Sequence, residues 1–141
     1  MKKSLFILLL LNFSLLVAQS NQIHWKSVEE VAELQKNKPR KVLMDVYTTW
    51  CGPCKMMMRN TFTNKNVIEY VNSHFYAIKF DAEGGKDVTF KGTTYTNPNY
   101  VAGSGRKGQH QFAQALGVNS YPTIIYMNEE MEVIAPIKGY Q

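Results

Sequence analysis

No cysteine lies outside one short stretch of this 141-residue chain, "TTWCGPCKMMM" from Thr48 to Met58, which holds both Cys51 and Cys54. A framework of disulfides between distant segments is therefore excluded. A bridge within the pair would close so small a loop that it removes little entropy from the unfolded chain. Metal-ligand spacing is missing too. His24, His74 and His110 stand far apart and there is no second Cys-x-x-Cys, whereas a structural zinc site takes about four ligands, commonly from paired motifs. No metal and no cofactor are expected. Charge of one sign is not in excess. The formal +5 includes Lys2 and Lys3, so a chain beginning at Asn21 carries 14 basic against 11 acidic residues. That balance is too mild for nucleic acid or an anionic membrane surface. Internal repeats and interdomain linkers are also absent, and a hydrophobic content of 45% is that of a globular chain with one core, not a disordered one.

The one long apolar run is at the start, "MKKSLFILLLLNFSLLVAQS". Lys2 and Lys3 form a positive n-region, Leu5 to Val17 a mostly apolar core, and Ala18-Gln19-Ser20 a small-x-small cleavage site. The run is short for a membrane span. Residues 1–20 are read as a signal peptide and 21–141 as the domain, exported, periplasmic, and without a stable membrane anchor after cleavage. Export sharpens the problem of the thiols, because oxidising compartments favour disulfides between distant segments and this chain has none to make.

Ser27 with Glu30 is a capping box that opens a helix over about 28–37. Ile23 to Trp25 is expected as a short strand before it. Arg40 to Thr48 reads as a strand buried on both faces, since Val42, Leu43, Met44 and Val46 are too continuous in apolarity for a half-exposed one; Asp45 alone breaks the pattern. A helix follows from Cys51 towards Thr61, in which Met56, Met57 and Met58 cannot all face one side. Further helices are expected over 66–73 and 109–116, strands over 75–81, "PTIIYMN" and "MEVIAPIKG", and a hairpin turning at Lys91-Gly92. The order β-α-β-α-α-β, hairpin, α-β-β implies an α/β fold with a mixed central sheet flanked by helices.

At a strand-to-helix junction, Cys51 occupies a helix N-terminus, where unpaired N–H groups and the helix dipole favour a thiolate. The Cys-x-x-Cys arrangement lowers the first thiol's pKa further, from about 8.5 towards about 7. Cys54, one turn on, can resolve the mixed disulfide that Cys51 makes with a partner. Gly52 leaves the approach to Cys51 open, and Pro53 holds the turn.

"WCGPCK" resembles the active-site signature of the thioredoxin family, and the chain is similar to that family from about Ile23 onward. The resemblance implies a thioredoxin-like fold and a redox pair, Cys51 and Cys54. Asp45 matches the family's buried carboxylate, which assists deprotonation of the inner cysteine, and Lys79 matches the basic residue beside it. Tyr121-Pro122-Thr123 matches the cis-proline loop, so Trp50, Gly52, Pro53, Tyr121 and Pro122 are expected to bind the substrate. The run "KVLMDVYTTWCGPCKMMMRNTFTNKNVIEYV" resembles the C-terminal thioredoxin-like domain of the membrane thiol:disulfide interchange reductase. That implies disulfide-containing or dithiol proteins as partners and a membrane thiol reductase as electron donor. Two departures are expected: residues 84–108 form an insertion, and the chain stops at Gln141, where the family's last helix would begin.

The reading is an exported protein-disulfide reductase. The alternatives are a net thiol oxidase or isomerase, and a non-catalytic binding module on the same fold. The insertion, with Phe90, Tyr95 and Tyr100, reads either as a partner-selecting arm or as a surface hairpin. Arg106-Lys107 reads as solvated loop and His74 as a surface residue.

Overall fold

β2 (Lys41–Tyr47) is buried through Val42, Leu43, Met44, Asp45 and Val46, and the rest of the fold is arranged around it. The structure is a computed structural model that describes residues 20–141 apart from 104 and 107. The expected signal peptide lies outside the described residues except for Ser20. The pleat sends Val42, Met44 and Val46 to one face of the sheet and Leu43 and Asp45 to the other. The core divides accordingly, with the first three in one apolar cluster and Leu43 in a second.

β3 (Phe75–Asp81) pairs with β2 in parallel, and β6 (Thr123–Met127) pairs with its other edge antiparallel. β1 (Trp25–Lys26) joins β3, and β7 (Val133–Lys138) joins β6, giving the five-stranded order β1-β3-β2-β6-β7. This is the mixed sheet that the element order implied. Pro136 is accommodated because β7 is an edge strand and has no neighbour on one side. β1 begins later than expected. Trp25 N–H turns back to the Ile23 carbonyl, and Ile23 serves as a buried core residue, not as strand.

α1 (Val28–Asn37) and the short α4 (Gln111–Ala115) cover the Val42/Met44/Val46 face through Val28, Val31, Phe112 and Ala113. The capping box at α1 is complete: Ser27 N–H donates to Glu30 at 2.6 Å and Glu30 N–H to Ser27 Oγ at 3.1 Å. α2 (Gly52–Asn60) and α3 (Lys65–His74) cover the opposite face through Met57, Ile68 and Val71. Helical geometry separates the three methionines: Met57 is buried, Met58 packs at the edge of that core, and Met56 is exposed. His74 is exposed at the end of α3, as expected. No helix among the described residues is long and apolar enough to cross a membrane.

The insertion is a hairpin of β4 (Val88–Phe90) and β5 (Thr93–Tyr95), turning at Lys91 and Gly92, both at positive φ. One side of it packs onto the body of the fold. Val88 is buried, and the rings of Phe90 and Tyr95 lie 5.2 and 5.4 Å from that of Phe112. Two of its three aromatic residues, both half-buried, therefore pack against the core.

Candidate active site

The chain leaves β2 at Tyr47, passes the buried Thr48, and enters α2 with Cys51 as N-cap in extended conformation. The Cys54 N–H donates to Cys51 Sγ at 3.2 Å, and the Lys55 N–H to the Cys51 carbonyl at 3.2 Å. The cysteine sulfur thus takes the place of the usual capping oxygen, using an N–H that the helix start leaves unpaired. Pro53 stands in the first turn, where it fixes φ and its missing N–H leaves no bond unmade. Cys51 and Cys54 are joined as a disulfide with Cα atoms 5.3 Å apart.

Cys51 is only 3% exposed. It is reached through a cleft of about 440 Å³, whose walls include Trp50, Pro53, Glu83, Arg106 and Tyr121. A side chain added at Gly52 would meet nothing within 4 Å, so glycine there keeps the entrance clear and is not demanded by packing. The Tyr121–Pro122 bond is cis. Tyr121 stands in the cleft wall, edge-on to Trp50 at 6.0 Å, with its hydroxyl accepting from Gln109 Nε2. Pro122 is buried behind it, its carbonyl taking the Gly139 N–H, and it is not among the cleft residues.

Cys54 lines a second cleft of about 470 Å³ on the other side, together with Tyr47, Thr48, Met58 and Lys79. Asp45 and Lys79 face each other across the β2–β3 register, with Lys79 Nζ 3.8 Å from Asp45 Oδ2. Asp45 is 2% exposed, and its Oδ1 has no partner among the described residues. Burial raises the Asp45 carboxyl to about 6, more than Lys79 lowers it. Burial also pushes the Lys79 ammonium down, against the opposing pull of Asp45. A buried carboxyl left incompletely bonded below the inner cysteine's helix can exchange a proton near neutral pH.

Two cleft residues were not anticipated from sequence. Glu83 accepts from Trp50 Nε1 at 2.8 Å. Arg106 lies in exposed loop, as read, but its guanidinium carbon also stands 4.4 Å from the centroid of the Trp50 ring. No local pattern marks either one, since Glu83 follows the end of β3 and Arg106 lies late in the insertion, and each meets Trp50 only through the fold.

A mixed sheet with a Cys-x-x-Cys disulfide at a helix N-terminus, faced by a cis-proline loop, defines a dithiol–disulfide oxidoreductase. The chain belongs to the thioredoxin-like family, whose model, a thioredoxin-like domain, matches residues 28–141. Thioredoxin Y, chloroplastic, of Oryza sativa subsp. japonica is 29% identical over 87 residues, 62% of this chain and 50% of that protein. Thiol:disulfide interchange protein DsbD of Actinobacillus pleuropneumoniae is 36% identical over 52 residues, 34% of this chain and 9% of that one. The matches thus span half or less of these two relatives. A solution structure from Bacteroides thetaiotaomicron, described as a candidate disulphide-isomerase, superposes with a TM-score of 0.60 at 27% identity, covering 88% of this chain and 86% of that one.

Proposed function

We propose that the chain is an exported reductase of protein disulfides. The observation that carries this is the capped sulfur of Cys51 in the cleft faced by Tyr121, with Cys54 behind it on a separate cleft. In the reduced protein the Cys51 thiolate attacks one sulfur of a partner disulfide. The partner's S–S bond breaks, a Cys51–partner disulfide forms, and the other partner sulfur leaves as a thiolate that takes up a proton. Cys54, deprotonated with Asp45 as proton acceptor, then attacks Cys51 Sγ. This closes the Cys51–Cys54 disulfide and releases the second partner thiol, so two electrons have passed to the partner.

Export to a periplasm rests on the charged, apolar and small-residue pattern of residues 1–20. Re-reduction by a membrane thiol reductase rests on the likeness to DsbD. The Bacteroides structure favours a second reading, disulfide isomerisation, which uses the same attack but returns the partner's electrons. Insulin reduction and reactivation of scrambled ribonuclease separate the two. Reductase activity predicts turnover of insulin by the wild type and none by Cys51→Ser. Cys54→Ser is expected to accumulate mixed disulfides visible on non-reducing gels. Reactivation of scrambled ribonuclease without net insulin turnover favours the isomerase, and inertness in both assays leaves a binding module.

A further inference from the structure

One wall of the Cys51 cleft comes from the insertion, and it carries a cation. The insertion is fastened at its base: Asn97 Nδ2 donates to the Gly84 carbonyl at 3.1 Å and to the Gly108 carbonyl at 3.0 Å, while Thr96 N–H donates to Gln111 Oε1. Arg106, just before Gly108, is therefore delivered to the cleft from a fixed point. Its guanidinium lies over the Trp50 ring and makes no hydrogen bond or ion pair among the described residues. Covering one face of a guanidinium with an indole leaves its N–H fork for a planar acceptor. Glu83 is the acid in the same cleft, and its Oε2 is engaged by Trp50 Nε1. Ser120, also in the wall, has a buried hydroxyl without a partner among the described residues, a further donor for an acceptor group. The cleft thus holds unmet donors and a committed carboxylate at the place where a partner's sulfur must arrive.

We propose that Arg106 is a specificity determinant that pairs with the carboxylate of an Asp or Glu flanking the target cysteine of a partner protein. This rests on the oxidoreductase reading and names the partner chemistry for that same site.

The test uses peptides that carry one identical internal disulfide and differ only in the residue beside the target cysteine, Glu, Gln or Lys. Pre-reduced protein is mixed with excess peptide, and the second-order rate is followed by tryptophan fluorescence. The wild type is expected to react about tenfold faster with the Glu peptide than with the Lys peptide at low salt, because like-charge juxtaposition at a contact suppresses the wrong partner. The preference should shrink in about 0.5 M salt, where charges are screened within a few ångströms. Arg106→Ala should bring the Glu/Lys ratio towards unity, Arg106→Glu should invert it, and Arg106→Lys should keep part of it, since charge remains and the fork is lost. Unfolding curves for each variant verify that the fold is intact. A wild-type ratio within about twofold, the range of an exposed, solvated pair, overturns the proposal. So does a ratio that Arg106→Ala and Arg106→Glu leave unmoved. A wild type that reacts with none of the peptides overturns the oxidoreductase reading itself, a result distinct from reaction without preference.

Discussion

Asp45→Asn is the substitution whose consequences the structure fixes most closely. The carboxyl is 2% exposed, and burial raises its pKa from 3.8 to about 6 against the pull of Lys79. At about 1.4 kcal/mol per pKa unit, that difference amounts to about 3 kcal/mol. Because the folded carboxyl holds its proton more tightly than the unfolded one, the sign is unfavourable to the fold as pH rises. Below about pH 4 both states are protonated and the group contributes nothing. Between there and about pH 6 the unfolded chain releases its proton first, and above about pH 6 the whole penalty is in place. Asparagine removes the penalty and keeps the shape. Lys79, partly buried and then unpaired, takes back a fraction. The expected outcome is a variant close to the wild type at about pH 4 and more stable by about 2–3 kcal/mol at about pH 8. Urea unfolding of the disulfide form at the two pH values measures this directly. A variant displaced equally at both, or less stable than the wild type at the higher one, would refute the reasoning. The same variant should slow release of the Cys51–partner disulfide above about pH 7, where the wild-type carboxylate accepts the Cys54 proton.

Two further predictions concern what holds the cleft in place. His110 is fully buried and caps α4, its Nδ1 accepting from the Phe112 N–H at 3.0 Å, so that Nε2 carries the proton donated to the Lys86 carbonyl. His110→Ala should cost about 2–4 kcal/mol by urea unfolding, the sum of a lost cap and the space left by a fully buried ring, and His110→Asn should recover part through the cap alone. At Gly85 a Cβ would come within 2.6 Å of the Tyr100 ring. Gly85→Ala should therefore loosen the insertion, read as faster amide exchange over residues 96–100, and Tyr100→Ala should relieve it in the double variant.

Much of this was legible in the chain because the informative contacts are local. Continuous apolarity over Val42–Val46 means burial on both faces, and β2 is central in the sheet. Ser27 and Glu30 announce their capping box, and Lys91-Gly92 its turn. Cys51 was placed at a helix start by the strand before it and the Gly-Pro after it. The remainder depends on contacts that no period encodes. His110 looked like an isolated histidine because its partners, Phe80 and Lys86, arrive from across the fold. Phe90 and Tyr95 looked exposed in a polar segment, yet the hairpin closes over Phe112. Arg106 sits among small polar residues and acquires meaning only over Trp50. Cys51 was expected to stand open. It is 3% exposed and lies in a cleft walled by Trp50, Tyr121 and Arg106, which come from three separate segments.

The direction of electron flow turns on how strongly the reduced pair is stabilised. A reducing couple of this family lies near about −270 mV and a strongly oxidising one near about −120 mV, a gap of about 7 kcal/mol at about 1.4 kcal/mol per 30 mV. The more oxidising couple is the one whose thiolate is held better, because that favours the reduced form. Here Cys51 Sγ has one backbone donor, the Cys54 N–H, and the N-terminus of a short helix. A hydrogen bond to a charged group contributes about 1.5–3 kcal/mol and a helix terminus typically about 0.3–1 kcal/mol. Gly52 and Pro53 bring no charge between the cysteines, and Asp45, once ionised, works against a thiolate nearby. These contributions fall short of the gap, and Arg106, the one cation lining the cleft among the described residues, lies over Trp50. The expected potential is therefore between about −270 and about −185 mV, measured by equilibration in dithiothreitol and glutathione buffers. A value above about −150 mV, in the oxidant range, would refute the reductase reading and favour net oxidation. A couple at the predicted value in an oxidising envelope cannot stay reduced unaided. Removal of the membrane electron donor proposed above should then convert Cys51 and Cys54 to the disulfide in growing cells, visible by thiol alkylation.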